Sequence, residues 1–159
     1  MRDACELWAG GPFFRQDPGA RLSTDSVLLA DFVPLRGAER GIDLGCGAGI
    51  LSLLLLCRGE KLHMTGLELR EEAAALAREN LTQNGLGERS RILTGDLREH
   101  RSLFSHGSFD LAVANPPYFP TGSGALELSS RLEAGGCAVG ASPGRLGSLA
   151  EPQRRGTSP

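Results

Sequence analysis

The sequence predicts an α/β domain built on a doubly wound, mostly parallel sheet. Three observations predict it. Short apolar runs alternate with helical stretches between Gly41 and Ala114. A glycine-rich stretch, "DLGCGAG" at Asp43–Gly49, joins the first of these runs to an apolar helix. Polar residues of marked chemistry (Glu68, Asp96 and Asn115) then stand at the ends of the next three runs.

Each element has its own signal. "STDSVLLADFV", Ser23 to Val33, reads as a helix capped by Ser23 or Thr24, whose oxygen can accept a first-turn N–H. Ile42–Leu44 is a short strand running into the glycines. Ile50–Cys57 is apolar almost throughout and reads as a helix buried against the sheet, far too short to span a bilayer. Leu62–Leu67 is a second strand, closed by Glu68. Arg70–Gly85 is a helix with an acidic first turn, Ala73, Leu76, Ala77 and Leu81 on one face, and an Asn84-Gly85 stop. Ser90–Leu93 is a third strand, leading into Thr94, Gly95 and Asp96. Phe109–Ala114 is a fourth, apolar enough for a central parallel strand.

A chain of 159 residues has room for one domain with a real core. Its formal net charge of -2 supplies no global basic field, so a nucleic-acid partner needs a local patch or an already positioned substrate. Cys5, Cys46, Cys57 and Cys137 form no CxxC pair and have no histidines at zinc spacing; we expect reduced thiols and no metal site. Met1 is followed by Arg2, Asp3 and Glu6, unlike a signal peptide. Together these predict a cytoplasmic protein with no membrane segment. From Thr121 onward 17 of 39 residues are Gly, Ser or Pro, and no strand-like run is found. The chain is therefore expected to divide into a domain over 1–124 and a low-complexity, disordered tail over 125–159.

The glycine loop suits close approach of a ligand to backbone N–H groups, because Gly45, Gly47 and Gly49 carry no side chain to block it. A dinucleotide loop, G-x-G-x-x-G, would place glycine at position 50, where this chain has Ile50. A nicotinamide or flavin oxidoreductase is disfavoured for that reason. The pattern present, D-x-G-x-G-x-G from Asp43, resembles the first motif of class I S-adenosylmethionine-dependent methyltransferases. The resemblance implies a Rossmann-like sheet and S-adenosyl-L-methionine as cofactor, with Asp43, Gly45, Cys46, Gly47 and Gly49 in the binding loop. Glu68, about twenty residues past the loop, is placed to accept the ribose hydroxyls. Asp96 falls where the family accepts from the adenine amino group.

Asn115-Pro116-Pro117-Tyr118 follows the fourth strand on the same sheet edge. Prolines stop strand pairing and Asn suits turns, so a rigid strand exit explains part of it. The residues also resemble the [N/D]-P-P-[Y/F/W] signature of methyltransferases acting on an exocyclic or amide nitrogen. Such a nitrogen is a weak nucleophile because its lone pair is delocalised. The Asn115 oxygen and the Pro116 carbonyl can each accept one of its N–H bonds and aim the lone pair at a methyl donor. Pro116 and Pro117 hold the backbone for that task, and Tyr118 offers a ring face for stacking a flat group.

Two branches share the signature, adenine-N6 enzymes and glutamine-N5 protein methyltransferases. The glutamine branch usually carries a helical domain ahead of the loop, and 44 residues precede Gly45 here. Residues 10 to 124, with "FFRQDPGARLSTDSVLLADFV" and "NPPYFPTGSG", look most like the bacterial tRNA valine adenine-N6 methyltransferase family. That implies tRNA as substrate, and a Thr24-Asp25 region packed beside the cofactor pocket; a plain helix cap explains Thr24-Asp25 equally well. The family's fold adds further strands after the N-P-P-Y loop, which the tail does not supply. A truncation or a shift of reading frame after Gly124 would leave the fourth strand as an exposed edge. An inactive cofactor-binding fragment therefore stands beside the active enzyme as an expectation.

Overall fold

A computed structural model describes residues 4–16, 22–115 and 140–141. Strands β1 (Cys5–Glu6) and β2 (Phe13–Phe14) form a small antiparallel hairpin. Helix α1 (Thr24–Phe32) follows, then β3 (Arg40–Leu44), α2 (Ile50–Arg58), β4 (His63–Glu68) and α3 (Glu71–Gln83). After them come β5 (Ser90–Thr94), the short α4 (His100–Leu103), β6 (Leu111–Val113) and β7 (Gly140–Ala141). The main sheet has the order β5-β4-β3-β6-β7, with β3 central. The pairs among β3, β4, β5 and β6 are parallel, and β7 lies antiparallel to β6. The expected doubly wound α/β sheet is thus present, and its order brings the first and fourth predicted strands side by side.

Both faces of the sheet are covered, as the near-continuous apolar strands require. On one face α1, α2 and α3 pack over Met64, Ile92, Leu111 and Val113. Helix α2 lies between sheet and neighbours, so every residue from Leu51 to Leu56 is buried. Each of its leucines contributes about 1.5–3 kcal/mol by leaving water. Arg58, at the end of α2, donates to the Ala30 carbonyl and to that of Val33 at 3.2 Å, which ties the end of α1 down. The other face is thinner. Ile42, Leu44, Leu67, Ala112 and Ala114 meet Phe104 and Phe109, whose rings pack edge to face at 5.2 Å. An open groove of about 360 Å³ remains there between α4 and the sheet.

Several element ends differ from expectation for identifiable reasons. Ser23 is the cap of α1, accepting the Ser26 N–H, and Thr24 is already helical. Strand β3 begins at Arg40, because the Asp110 carboxylate accepts the N–H groups of Glu39 and Arg40 and continues the order outward. Helix α3 ends at the predicted Asn84-Gly85, with Gly85 at φ 71°. Its buried face includes Ala73, Ala77 and Leu81 as expected, with Ala74 and Asn80 added, while Leu76 is only partly buried against the core. The hairpin β1–β2 was not predictable from periodicity, being too short to show a period. It is held by Asn84, whose Oδ1 accepts the Phe13 N–H at 2.8 Å and whose Nδ2 donates to the Phe13 carbonyl at 2.7 Å. Nor does sequence pattern indicate β7, where Leu111 pairs with Ala141 and Ala112 with Gly140.

Pro116, Pro117 and Tyr118 lie outside the described residues, as do the proposed boundary at Gly124 and nearly all of the tail. Cys5, Cys46 and Cys57 are free thiols. Among the described residues no helix is long and apolar enough to cross a membrane, and no group of three His, Cys, Asp or Glu could hold a metal ion.

Candidate functional site

The parallel register decides what meets at the edge of the sheet. Asp43 pairs with Val113 and Leu44 with Leu67, while Glu68 pairs with Thr94. Gly45, Glu68, Asp96 and Asn115 therefore all leave the sheet at the carboxyl ends of neighbouring strands. Open α/β sheets bind their ligands at that edge.

The loop itself is more tightly tied than glycine content suggests. The Gly45 and Cys46 N–H groups both donate to the Leu67 carbonyl, at 2.8 and 3.1 Å, and the Gly49 N–H donates to the Cys46 carbonyl at 2.8 Å. The Gly47 N–H donates to Glu68 Oε2 at 2.9 Å. These four amides are therefore engaged within the protein and are not the free donors the sequence suggested. What the loop offers instead is space. Gly45 and Gly47 have φ of 73° and 54°, and a Cβ added at either would meet nothing within 4 Å. Gly49 serves packing, since a Cβ there would come within 3.1 Å of the Ala77 Cβ.

Each predicted side chain has a definite place. Asp43 is buried, and its Oδ2 accepts from the Ser52 N–H at 3.2 Å and the Ser52 hydroxyl at 2.8 Å. It links the end of β3 to the first turn of α2 from inside. Burial pushes its carboxyl up to about 6, against the pull of the Ser52 hydrogen bonds, with the nearby Glu68 charge adding a smaller upward push. The Cys46 side chain points inward, under Gly66, where a Cβ would fall 2.7 Å from its sulfur. Burial pushes that thiol up, so it stays protonated and unreactive.

Glu68 stands at the junction of loop and helix. Besides Gly47, it takes the Arg70 N–H on Oε1 at 3.0 Å. Each carboxylate oxygen retains further acceptor capacity. Asp96 caps the turn after β5, accepting the Arg98 N–H at 2.8 Å, and the Arg98 guanidinium folds back onto it. Those hydrogen bonds hold the Asp96 carboxyl below the usual carboxylate range. Asn115 is partly buried, with Nδ2 2.8 Å from Ser26 Oγ on α1.

Sequence reasoning passed over three residues at this edge. Leu69, next to Glu68, is 63% exposed, and an exposed leucine at a strand end was the available signal. Ser26 gave none beyond ordinary helix-start composition. Asn80 is a polar residue on the apolar face of α3, and its position on that face was the signal. It is 1% exposed, and its Nδ2 donates to the Ala48 carbonyl at 2.9 Å and the Arg15 carbonyl at 3.0 Å. Its Oδ1 accepts the Arg15 N–H at 2.9 Å, so one side chain joins the glycine loop, α3 and the N-terminal hairpin.

A sheet of this order, with a glycine loop after β3, an acid closing β4 and another after β5, is the fold of the class I methyltransferases. It resembles the delta-N METTL16 MTase domain with a TM-score of 0.61 at 21% identity, over 76% of this chain and 62% of that one. The SAH-bound Podospora anserina methyltransferase PaMTH1 gives 0.53 at 21% identity, over 64% and 45%. More particularly, the chain belongs to the methyltransferase small domain family, whose model matches residues 17–151. The match runs past Gly124 into the stretch set apart on composition. A Shewanella protein named tRNA1(Val) (adenine(37)-N6)-methyltransferase is 39% identical over 110 residues, covering 69% of this chain and 46% of the relative. A Tolumonas auensis protein of the same name is 37% identical over 113 residues, covering 70% and 46%. The chain thus spans about half the length of the curated relatives it matches.

Proposed function

We propose that this domain is an S-adenosyl-L-methionine-dependent N-methyltransferase acting on an exocyclic amino group, adenine N6 of tRNA. The observation that carries the reading is the parallel pairing of β3 with β6, which opens the glycine loop and Asn115 side by side at one edge. The names of the relatives support adenine in tRNA as the target. A cytoplasmic location accords with that substrate.

The residues present fit the cofactor. Gly45 and Gly47 leave a cradle that any Cβ would enter. Glu68 has carboxylate lone pairs left for the ribose hydroxyls, and Asp96 would accept from the adenine amino group in exchange for hydrogen bonds it now takes from the Arg98 guanidinium. Exposed Leu69, next to Glu68 in the chain, offers an apolar face for a flat ring. When bound, S-adenosylmethionine supplies an electrophilic methyl group on a positively charged sulfur. This chain's task is then positioning. Asn115 Oδ1 accepts one N–H of the target amine and the Pro116 carbonyl the other, which holds the lone pair toward the methyl group. Tyr118 stacks the base. No side chain of specially shifted pKa is needed, because the transfer discharges the sulfonium while the amine releases its proton to solvent.

Incubation of the full chain with methyl-labelled cofactor and bulk tRNA tests the reading. Label in N6-methyladenine is expected. Cofactor binding without transfer to tRNA would leave a cofactor-binding fragment, and binding of NAD in preference to S-adenosylmethionine would overturn the class.

A further inference from the structure

An Asn side chain carries an oxygen and a nitrogen of nearly equal size, so shape alone does not orient it. Its hydrogen-bond partners do. The partners of Asn115 are Ser26 in α1 and the cap residue Ser23, 89 and 92 residues away in sequence. Asn115 Nδ2 is 2.8 Å from Ser26 Oγ and 3.5 Å from Ser23 Oγ. Ser26 is only 5% exposed, so water does not compete for its hydroxyl.

Either hydroxyl of the Ser23–Ser26 pair can donate to the other. Ser23 Oγ, as the helix cap, already accepts the Ser26 N–H at 3.3 Å. The two hydroxyls are 3.3 Å apart, and whichever of them donates, Ser26 Oγ keeps a lone pair to accept from Asn115 Nδ2. With the amide nitrogen committed to α1, Oδ1 turns the other way.

We propose that Ser26 is a positioning residue for the methyl-transfer reaction: its hydroxyl holds the Asn115 amide so that Oδ1 faces the target amine. The inference rests on the amine-methylating reading of Asn115. It also gives α1 a task at the site besides packing on α2, since the first turn of this helix orients a residue just past the end of β6. Had the amide turned over, Nδ2 would meet the target N–H bonds donor to donor, and the nitrogen would be repelled.

Two measurements test it. In the 15N-labelled full chain, the Asn115 side-chain amide, assigned by its disappearance in Asn115→Ala, should exchange its protons slowly. Ser26→Ala should bring that exchange to the rate of a solvated amide, and Ser26→Thr should keep it slow. Exchange unchanged by Ser26→Ala would overturn the proposal. The second measurement is single-turnover methyl transfer to tRNA at saturating cofactor. Ser26→Ala should slow it roughly tenfold with cofactor affinity unaltered, Ser26→Thr should restore most of it, and Ser26→Ala should add no loss to Asn115→Ala. An equal additional loss in the Asn115→Ala background would overturn the proposal. If the unaltered chain transfers no methyl group to tRNA, the functional reading fails by itself, and amide exchange alone decides the role of Ser26.

Discussion

Glu68 accepts the Gly47 N–H at 2.9 Å with one carboxylate oxygen and the Arg70 N–H at 3.0 Å with the other. The acid that ends β4 thereby shapes the loop that ends β3. On the proposed reading ligand contact and loop conformation are one arrangement, and a change at Glu68 should be felt in both.

Glu68→Ala should therefore weaken S-adenosylmethionine binding by about 1–3 kcal/mol, through a lost ribose contact and a loosened Gly47. Glu68→Gln retains an acceptor for Gly47 but sets an NH₂ group against the Arg70 N–H, so it should bind with intermediate affinity. Titration calorimetry distinguishes the three proteins. Unchanged affinity in Glu68→Ala would remove this residue from the cofactor site.

Asn115→Ala should lower methyl transfer on the order of a hundredfold or more while leaving cofactor affinity nearly intact. The proposal gives Asn115, past the end of β6, to the target amine and Glu68, at the end of β4, to the cofactor. Parallel losses of rate and cofactor affinity would contradict that division.

Asp43 gives the fold a pH dependence of defined sign. Its folded-state carboxyl titrates at about 6, above the ordinary 3.8, because burial disfavours the charge. Its contribution to stability is thus fully present below pH 4 and is lost as pH rises through 6, by roughly 3 kcal/mol. Asp43→Asn keeps an oxygen for the Ser52 donors and cannot ionise. Urea unfolding of both proteins should show the variant gaining on the wild type between pH 4 and pH 7. A stability difference independent of pH across that window would disprove the burial account.

Asn80→Ala should destabilise the domain by about 2–5 kcal/mol. It leaves the Ala48 carbonyl and both backbone groups of Arg15 without their partner. The hairpin should also loosen, since Arg15 adjoins β2. Chemical unfolding gives the first quantity. Faster amide exchange at Phe13 and Arg15 than in the wild type checks the second.

The elements that position this site are legible in the chain because they are written in local pattern. Ile42–Leu44, Ile50–Cys57 and Arg70–Gly85 declare themselves through apolar runs, helical period and glycine stops, and these depend only on neighbours in sequence. The acids Glu68 and Asp96 could be placed at the sheet edge for the same reason, each following a recognisable strand. Pairwise atomic partners are another matter. That Gly45 and Cys46 turn their N–H groups to the Leu67 carbonyl follows from the β3–β4 register, which no local period encodes. The same holds for Asp43 turning inward to Ser52 and for Asn80 bridging Ala48 to Arg15. Strands as short as Phe13–Phe14 and Gly140–Ala141 carry no period at all and exist only through the partners that tertiary packing brings to them. Ser26 and Asn115 are the extreme case. Each is ordinary in its own segment, and their hydrogen bond exists because packing sets the first turn of α1 beside the end of β6.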